Sequence, residues 1–304
     1  MDKMNFSAGI NTLADYVNEV GNAEIIKAIA GSAPSIQYFA HQSGVNEKTA
    51  LHLLNTTISF KNGKGCSFAD SNAFSLSDRY IVPAFLKAET AICTNDMLGK
   101  WIGYEAKVDA NGIEIPFEQA FVDGYREAAG EELEEMIWMG STELGYKGLT
   151  EIVKADGTKV EVPAGSNVYD KVHALIMSLP SKSAKNTELF ISPVSMLKLK
   201  DELLKKDFRL IDLEFTNGAV ADEHTIKMPV FGTLIHEVDG ITDENVYALV
   251  PEHTVYGYSV DNAQNEVKLV KDDVNDRWIF RIKMCSGVQV AIAAETLWAT
   301  VAAA

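Results

Sequence analysis

Residues 272–295, "DDVNDRWIFRIKMCSGVQVAIAAE", decide how this chain is read. From Arg277 to Met284 the residues alternate: Trp278, Phe280, Ile282 and Met284 fall on one side, Arg277, Ile279, Arg281 and Lys283 on the other. A period of two is the mark of a strand with one buried and one wetter face. "EVKLVK" (266–271) precedes it as a second strand, across a turn built from Asp272, Asp273, Asn275 and Asp276, residues that bond their own backbone in turns. Taken alone, the stretch reads first as an ordinary hairpin in the sheet of some enzyme.

The chain around it has 304 residues, 47% of them hydrophobic, enough to bury the core of one elaborated domain or two. No apolar run approaches the ~18 residues that would cross a bilayer, so no membrane association is expected. "MDKMNFSAGINTLADYV" lacks the unbroken apolar stretch of a signal peptide, and the protein is expected to stay in the compartment where it is made. Cys66, Cys93 and Cys285 stand far apart without metal-type pairing and read as free thiols. A formal charge of −16 argues against a general phosphate-binding surface. Partners are expected to be proteins, copies of the chain included.

Along the chain, "NTLADYVNEV" (11–20), "AEIIKAIA" (23–30) and, after the break "GSAP" (31–34), "NEKTALHLLN" (46–55) carry helical spacing. Helices this short are marginal unless they pack on something else, which predicts an arm lying along the body or a neighbour. "TTISFKNGKGCSF" (56–68) follows, its Asn62-Gly63-Lys64-Gly65 a turn between β-prone runs. A lone hairpin is barely stable in water and needs a second layer. The clearest helix opens at Pro116 and stops at Gly140, with Phe117, Phe121, Ala128, Ala129, Leu133, Met136 and Ile137 as its apolar stripe. Gly124 and Gly130 weaken it or admit a close neighbour. "EIVKADGTKVEVPAGSN" (151–167) reads as a hairpin around Asp156-Gly157, "VYDKVHALIMSLP" as a helix, "TELFIS" as a strand, and 192–208 as a helix capped by Ser192. "RLIDLEF", "VFGTLIHEV", "NVYALVP" and "VYGYSVD" read as strands. The order predicts an α+β unit inserted between parts of a second one.

The motifs of chemistry are missing. "KNGKGCS" lacks phosphate-loop spacing; "HEVDG" (236–240) has Gly240 where a metalloprotease helix needs its second His; "DEH" (222–224) has no second cluster. Glu131, Glu132, Glu134 and Glu135 read as a solvated helix face, and His173 as structural. No catalytic residue, metal ligand or cofactor is expected.

The whole layout resembles the major capsid protein of tailed bacteriophages, the Hong Kong 97-type fold shared with encapsulins. It is carried by the helical arm, the glycine-tipped hairpin around "ISFKNGKGCSF", the long helix Pro116–Met139, the helix–strand–"SP"–helix order of 167–203, and the run 232–293 ending in the long hairpin and "GVQV". The resemblance implies an N-terminal arm (1–50), an extended hairpin loop (51–80), a peripheral domain (81–150 and 246–290) with the long helix as its spine, and an axial domain (151–245 and 291–304). It implies no active site. Core positions would be Phe117, Phe121, Leu133, Trp278 and Phe280, with the Trp278/Phe280/Ile282 face on the spine helix. Subunit contacts would fall at Lys61, Asn62, Lys64, Arg277, Arg281 and Lys283, the last three free to meet acidic neighbours. Copies would form the pentamers and hexamers of an icosahedral shell around double-stranded DNA, in a virion assembled in the host cytoplasm. An acidic lining would let the DNA slide. With no room for a long cleavable leader, the scaffold would be a separate protein or absent; portal and decoration proteins would be further partners. No cross-linking positions match. The alternatives are an encapsulin-like compartment and, in another class, an α+β hydrolase or transferase with dispersed catalytic residues.

Overall fold

In the computed structural model, which describes residues 22–57, 73–93, 117–206, 215–216, 219–220, 224–228, 231–259, 266–272, 275 and 277–302, helix α1 spans Asn22–Ala30. Its Ile25, Ile26, Ile29 and Ala30 are buried, a spacing that puts them on one side of the helix. A 3₁₀ turn (Pro34–Tyr38) leads to strand β1 (Ala40–Ser43). Where the sequence reads as a resumed helix over 46–55, the chain instead forms strand β2 (Thr49–Thr57), antiparallel to β3 (Ala73–Ile81) from Thr49↔Ile81 to Thr57↔Ala73. Leu51, Leu53 and Leu54 suit either period; the β-branched threonines and a waiting partner strand tip the balance. Strand β4 (Ala84–Cys93) follows directly after Val82-Pro83.

The long helix α2 (Phe117–Met139) has the predicted extent, about 35 Å at 1.5 Å per residue. Leu133, Met136, Ile137 and Trp138 are buried, while Ala128 is exposed. Gly124 faces open space; a Cβ on Gly130 would lie 2.9 Å from Ser32 Oγ, so this glycine admits the arm. Gly140 ends the helix with φ +77°, and its N–H donates to Met136 O at 2.9 Å. A side chain there would be strained and would meet Gly148 N at 2.5 Å. Gly140→Ala is therefore expected to cost at least about 1–3 kcal/mol; a urea midpoint equal to wild type would contradict this.

The expected hairpin over 151–167 is replaced by helix α3 (Leu149–Asp156) and strand β5 (Thr158–Val162). Leu149, Ile152 and Val153 are buried at i, i+3 and i+4, a helical face that outweighs the Asp-Gly turn signal; Gly157 N–H donates to Val153 O and closes the helix. Helix α4 (Val168–Ser178) starts with a reciprocal cap between Asn167 and Asp170. Strand β6 (Glu188–Ile191) and helix α5 (Pro193–Lys205) follow; the Ser192 hydroxyl accepts from Ser195 N–H at 3.3 Å. Then come β7 (Phe215–Thr216), β8 (Ala219–Val220), β9 (Thr225–Lys227), β10 (Leu234–Glu237), β11 (Val246–Leu249), β12 (Thr254–Ser259), β13 (Glu266–Asp272), β14 (Arg277–Val290) and β15 (Leu297–Val301).

Two sheets organise these elements. One has the order β1-β12-β14-β13, with β4 also paired to β14; the other has the order β5-β15-β11-β6-β10-β9. The deciding strand β14 is a single element of 14 residues, with "GVQV" as its last four. Strand β11 belongs to the six-stranded sheet, between β15 and β6, although 246–290 is expected with the peripheral domain; the chain leaves that sheet only at Val250. In β6 and β11 alternate residues serve two cores. Leu189, Ile191, Val246 and Ala248 join Val172, Leu175, Met196, Leu199 and Leu203 of α4 and α5. Phe190, Tyr247 and Leu249 join α1, α2 and the five-stranded sheet. Burial on both faces explains why these strands read as unbroken apolar runs.

Candidate assembly surfaces

Strands β2 and β3 form a two-stranded sheet of their own. Their root is fixed to the body. Ile81 is fully buried, and Gly257 and Gly287, register partners in β12 and β14, let it pass: a Cβ on Gly257 would meet Ile81 Cδ1 at 3.2 Å and one on Gly287 would meet Pro83 Cα at 3.0 Å. Arg79 donates to Asp156 (2.5 Å) and to Gln289 Oε1 (3.1 Å), and Gln289 Nε2 donates to Tyr80 O (2.8 Å). Beyond the root, His52 and Asp78 form an exposed cross-strand pair (2.8 Å), while Leu51 and Leu53 are half-buried. Tyr80, under Lys48, and Val82 and Phe85 are exposed apolar side chains at this root. Lys61, Asn62 and Lys64 lie outside the described residues.

The face of β14 toward α2 carries Phe280, Ile282 and Met284, all buried, with the Tyr125 ring edge-on to Phe280 at 5.0 Å. Leu133 is buried in the same core. The side chains of Phe117, Phe121 and Trp278 lie outside the described set; the Trp278 backbone pairs with Ile92 and Lys271. On the wetter face, Arg281 and Arg277 have carboxylates within their own sheet, where the sequence reading leaves them free. Arg281 Nε reaches Glu89 at 2.5 Å and Arg277 Nε reaches Asp272 at 2.9 Å, each its register partner. Lys87 and Arg281 together hold the Glu89 carboxyl below its usual range. Exposed pairs of this kind contribute little to stability, so exchanging them for a neighbour's carboxylates costs little. Between α2 and the β4/β14 layer lies a cleft of about 440 Å³, walled by Ile29, Leu86, Leu133, Ile282 and Met284, with Glu132 among its lining residues.

Glu134 corrects the expectation of a uniformly solvated helix face. Glu131, Glu132 and Glu135 are exposed, but Glu134 is buried. It accepts the Ser35 N–H at 3.0 Å and the Ser35 hydroxyl in a short bond, while Trp138 Nε1 donates to Ser35 Oγ at 2.7 Å. The node fastens the chain after α1 to the long helix. Burial lifts the Glu134 carboxyl above its usual range against the Ser35 hydrogen bonds, and the Asp239 charge adds to the rise. The folded chain thus keeps this proton to higher pH than the unfolded chain, where the group titrates near 4.5. Its contribution to stability is fullest below that value and declines as pH climbs through the raised pKa. Glu134→Gln is expected to remove this decline, read as urea midpoints between about pH 4 and 8; an unchanged pH slope would contradict it.

Geometry of this kind recurs in solved structures. At 11% sequence identity, a structure titled Gordonia phage Cozz matches with a TM-score of 0.59, over 90% of this chain and 87% of that one. The capsid of a native GTA particle matches with a TM-score of 0.58 at 12% identity, over 90% and 91%. A virus-like particle from Pyrococcus furiosus matches with 0.52 at 13%, over 94% and 100%. The chain has the Hong Kong 97-type capsid fold. No protein-family model and no curated protein sequence matches it.

Within this capsid fold, the histidines noted in the sequence have packing or polar partners of their own. His236 of "HEVDG" sits on strand β10, buried between the Tyr38 and Phe190 rings and bonded to Glu188 Oε2 (2.8 Å) and Thr225 Oγ1 (3.1 Å). His224 of "DEH" stands 3.6 Å from Glu237. His173 is exposed and stacks on Tyr169. Cys285 is a buried free thiol, its pKa pushed up to about 11 by burial. Among the described residues no group of three His, Cys, Asp or Glu could hold a metal ion, and no helix is long and apolar enough to cross a membrane. The Glu134–Ser35 bond is the feature that sequence reasoning missed, because its partners are 99 residues apart.

Proposed function

We propose that this chain is the subunit of a shell: a major capsid protein whose copies assemble into the pentamers and hexamers of an icosahedral particle enclosing phage double-stranded DNA. The observation that carries this reading is a capsid-type fold matched over about nine-tenths of the chain. The hairpin, whose described residues form a two-stranded sheet of their own, supports it, as a shell subunit needs surfaces that match other copies at symmetry axes. Its partners are copies of itself, a scaffolding protein, a portal and decoration proteins, with packaged DNA nearby and unspecific. It would act in the virion capsid, assembled in the host cytoplasm. Lys61, Asn62 and Lys64, in the segment that joins β2 to β3, and Arg277, Arg281 and Lys283 on β14 would meet neighbouring subunits. Negative-stain electron microscopy with light scattering tests it: closed particles, or rings of five and six that close with scaffold, are expected. An oligomer that stays small under crowding and with scaffold would overturn it.

A second reading, an encapsulin-like compartment around a cargo enzyme, is favoured by the apolar cleft between α2 and β4/β14, which is of a size to take side chains of a short peptide. Particles purified with a bound enzyme and without DNA would select it.

A further inference from the structure

The cleft between α2 and the β4/β14 layer offers apolar area that reaches the surface. Among its lining residues Ile29, Leu133 and Ile282 are buried, while Ala128 and Leu144 are exposed. Lys87 and Glu89, which also line it, pair with each other at 2.8 Å, and Glu132 is the remaining charged side chain of the lining. An occupant therefore has to bring apolar side chains more than charge.

The chain carries a matching segment close by. Residues 11–20, "NTLADYVNEV", lie outside the described residues and end one residue before α1. As a helix, at about 100° per residue, they place Leu13, Tyr16, Val17 and Val20 within one arc and Asp15 and Glu19 opposite it. Ten residues give about 15 Å of helix, and the wall of the cleft on α2, from Tyr125 to Met136, runs about 16 Å. The reach is short as well. Ile29 lines the cleft, and Asn22, where α1 starts, lies about 10 Å from it along the helix axis. Gly21 stands between the two segments, the residue type that most readily lets a chain turn back. A helix of this length is marginal in water and needs a surface for its apolar stripe. A segment tethered this near has an effective concentration on the order of millimolar, which favours it over a free peptide from another protein.

We propose that residues 11–20 dock as an amphipathic helix in the cleft of their own chain, with Leu13, Tyr16, Val17 and Val20 inward. The cleft is then filled from within the subunit, and a peptide of a cargo enzyme would have to displace this segment. The inference does not depend on the shell reading.

Two measurements on the full-length chain test it. In the first, maleimide labelling of Ala128→Cys, located by mass spectrometry, is compared with and without the added pair Leu13→Asp/Val17→Asp. Labelling is expected to be at least about tenfold faster with the aspartates, as a position covered by a docked segment is released. Equal rates would overturn the proposal and leave the cleft to a peptide of another protein. In the second, Val17→Cys/Ala128→Cys is oxidised and the linked peptides are mapped. An intrachain disulfide between positions 17 and 128 is expected to form at least about tenfold faster than one between 15 and 128 in Asp15→Cys/Ala128→Cys, because position 15 lies on the polar side. Equal rates here would also count against docking and overturn it. Co-expression of the single variants Val17→Cys and Ala128→Cys identifies a second copy as donor: a linked dimer as the main product would overturn docking within one chain. Should the aspartate variant fail to fold by circular dichroism, the disulfide result decides. Wild type that forms no particles overturns the shell reading and leaves both measurements able to decide this one.

Discussion

Trp138→Ala is expected to remove about 3–5 kcal/mol of stability, the usual cost of emptying a large buried aromatic site. The side chain is fully buried and lies where the two sheets share a core. Its ring centroid is 5.9 Å from Phe39, 5.2 Å from Phe190 and 6.4 Å from Tyr247, residues that come from the arm, β6 and β11. Its indole N–H also holds the Ser35 hydroxyl that donates to Glu134. The substitution therefore opens a cavity and loosens a buried carboxylate, two costs that fall on one place. Against a total of about 5–15 kcal/mol for a domain, the variant should lose much of its folded population near 37 °C and assemble poorly as a consequence. Trp138→Phe keeps part of the packing and loses the hydrogen bond, and should lie between. Urea titration followed by fluorescence measures both; a loss under about 1 kcal/mol for the alanine variant would show that the shared core closes without the indole.

Deleting Asn62–Gly65 should do the opposite: leave folding intact and abolish assembly. The arms β2 and β3 are in register as far as Thr57↔Ala73, and the contacts that fix them, through Ile81, Arg79 and Gln289, are all at the root. Shortening the segment between β2 and β3 removes none of those. An isolated two-stranded hairpin is marginal in water, so a long one is retained where another surface completes it, and in the proposed shell that surface is a neighbouring subunit. The melting temperature is expected to match wild type while closed particles disappear from micrographs. Normal shells from the deletion would contradict the assignment of this loop to subunit contact.

Some elements were open to reading from residues a few positions apart. The alternation in Arg277–Met284 belongs to a strand, the interval from Pro116 to Gly140 to a helix, and Ser192-Pro193 and Asn167 with Asp170 to helix starts. Each is a local pattern whose cause, pleat, turn period or cap, acts within a dozen residues. Two segments misled for the same local reason. Asp156-Gly157 is a turn signal whether a helix or a strand precedes it, and the leucines of 51–54 fit both periods. What separated the alternatives was a partner: β15, from the far end of the chain, for β5, and β3 for β2.

The surfaces that matter to function divide in the same way. The sequence by itself determined the α+β order, the two-faced strand and the long helix, because these depend on spacing along the chain. Only the tertiary structure decided that Glu134 is buried while its three acidic neighbours are not, that Arg277 and Arg281 face carboxylates of their own sheet, and that α2 and the β4/β14 layer leave an apolar cleft between them. Whether a side chain is covered depends on what the fold brings to it from tens or hundreds of residues away, and no periodicity carries that information.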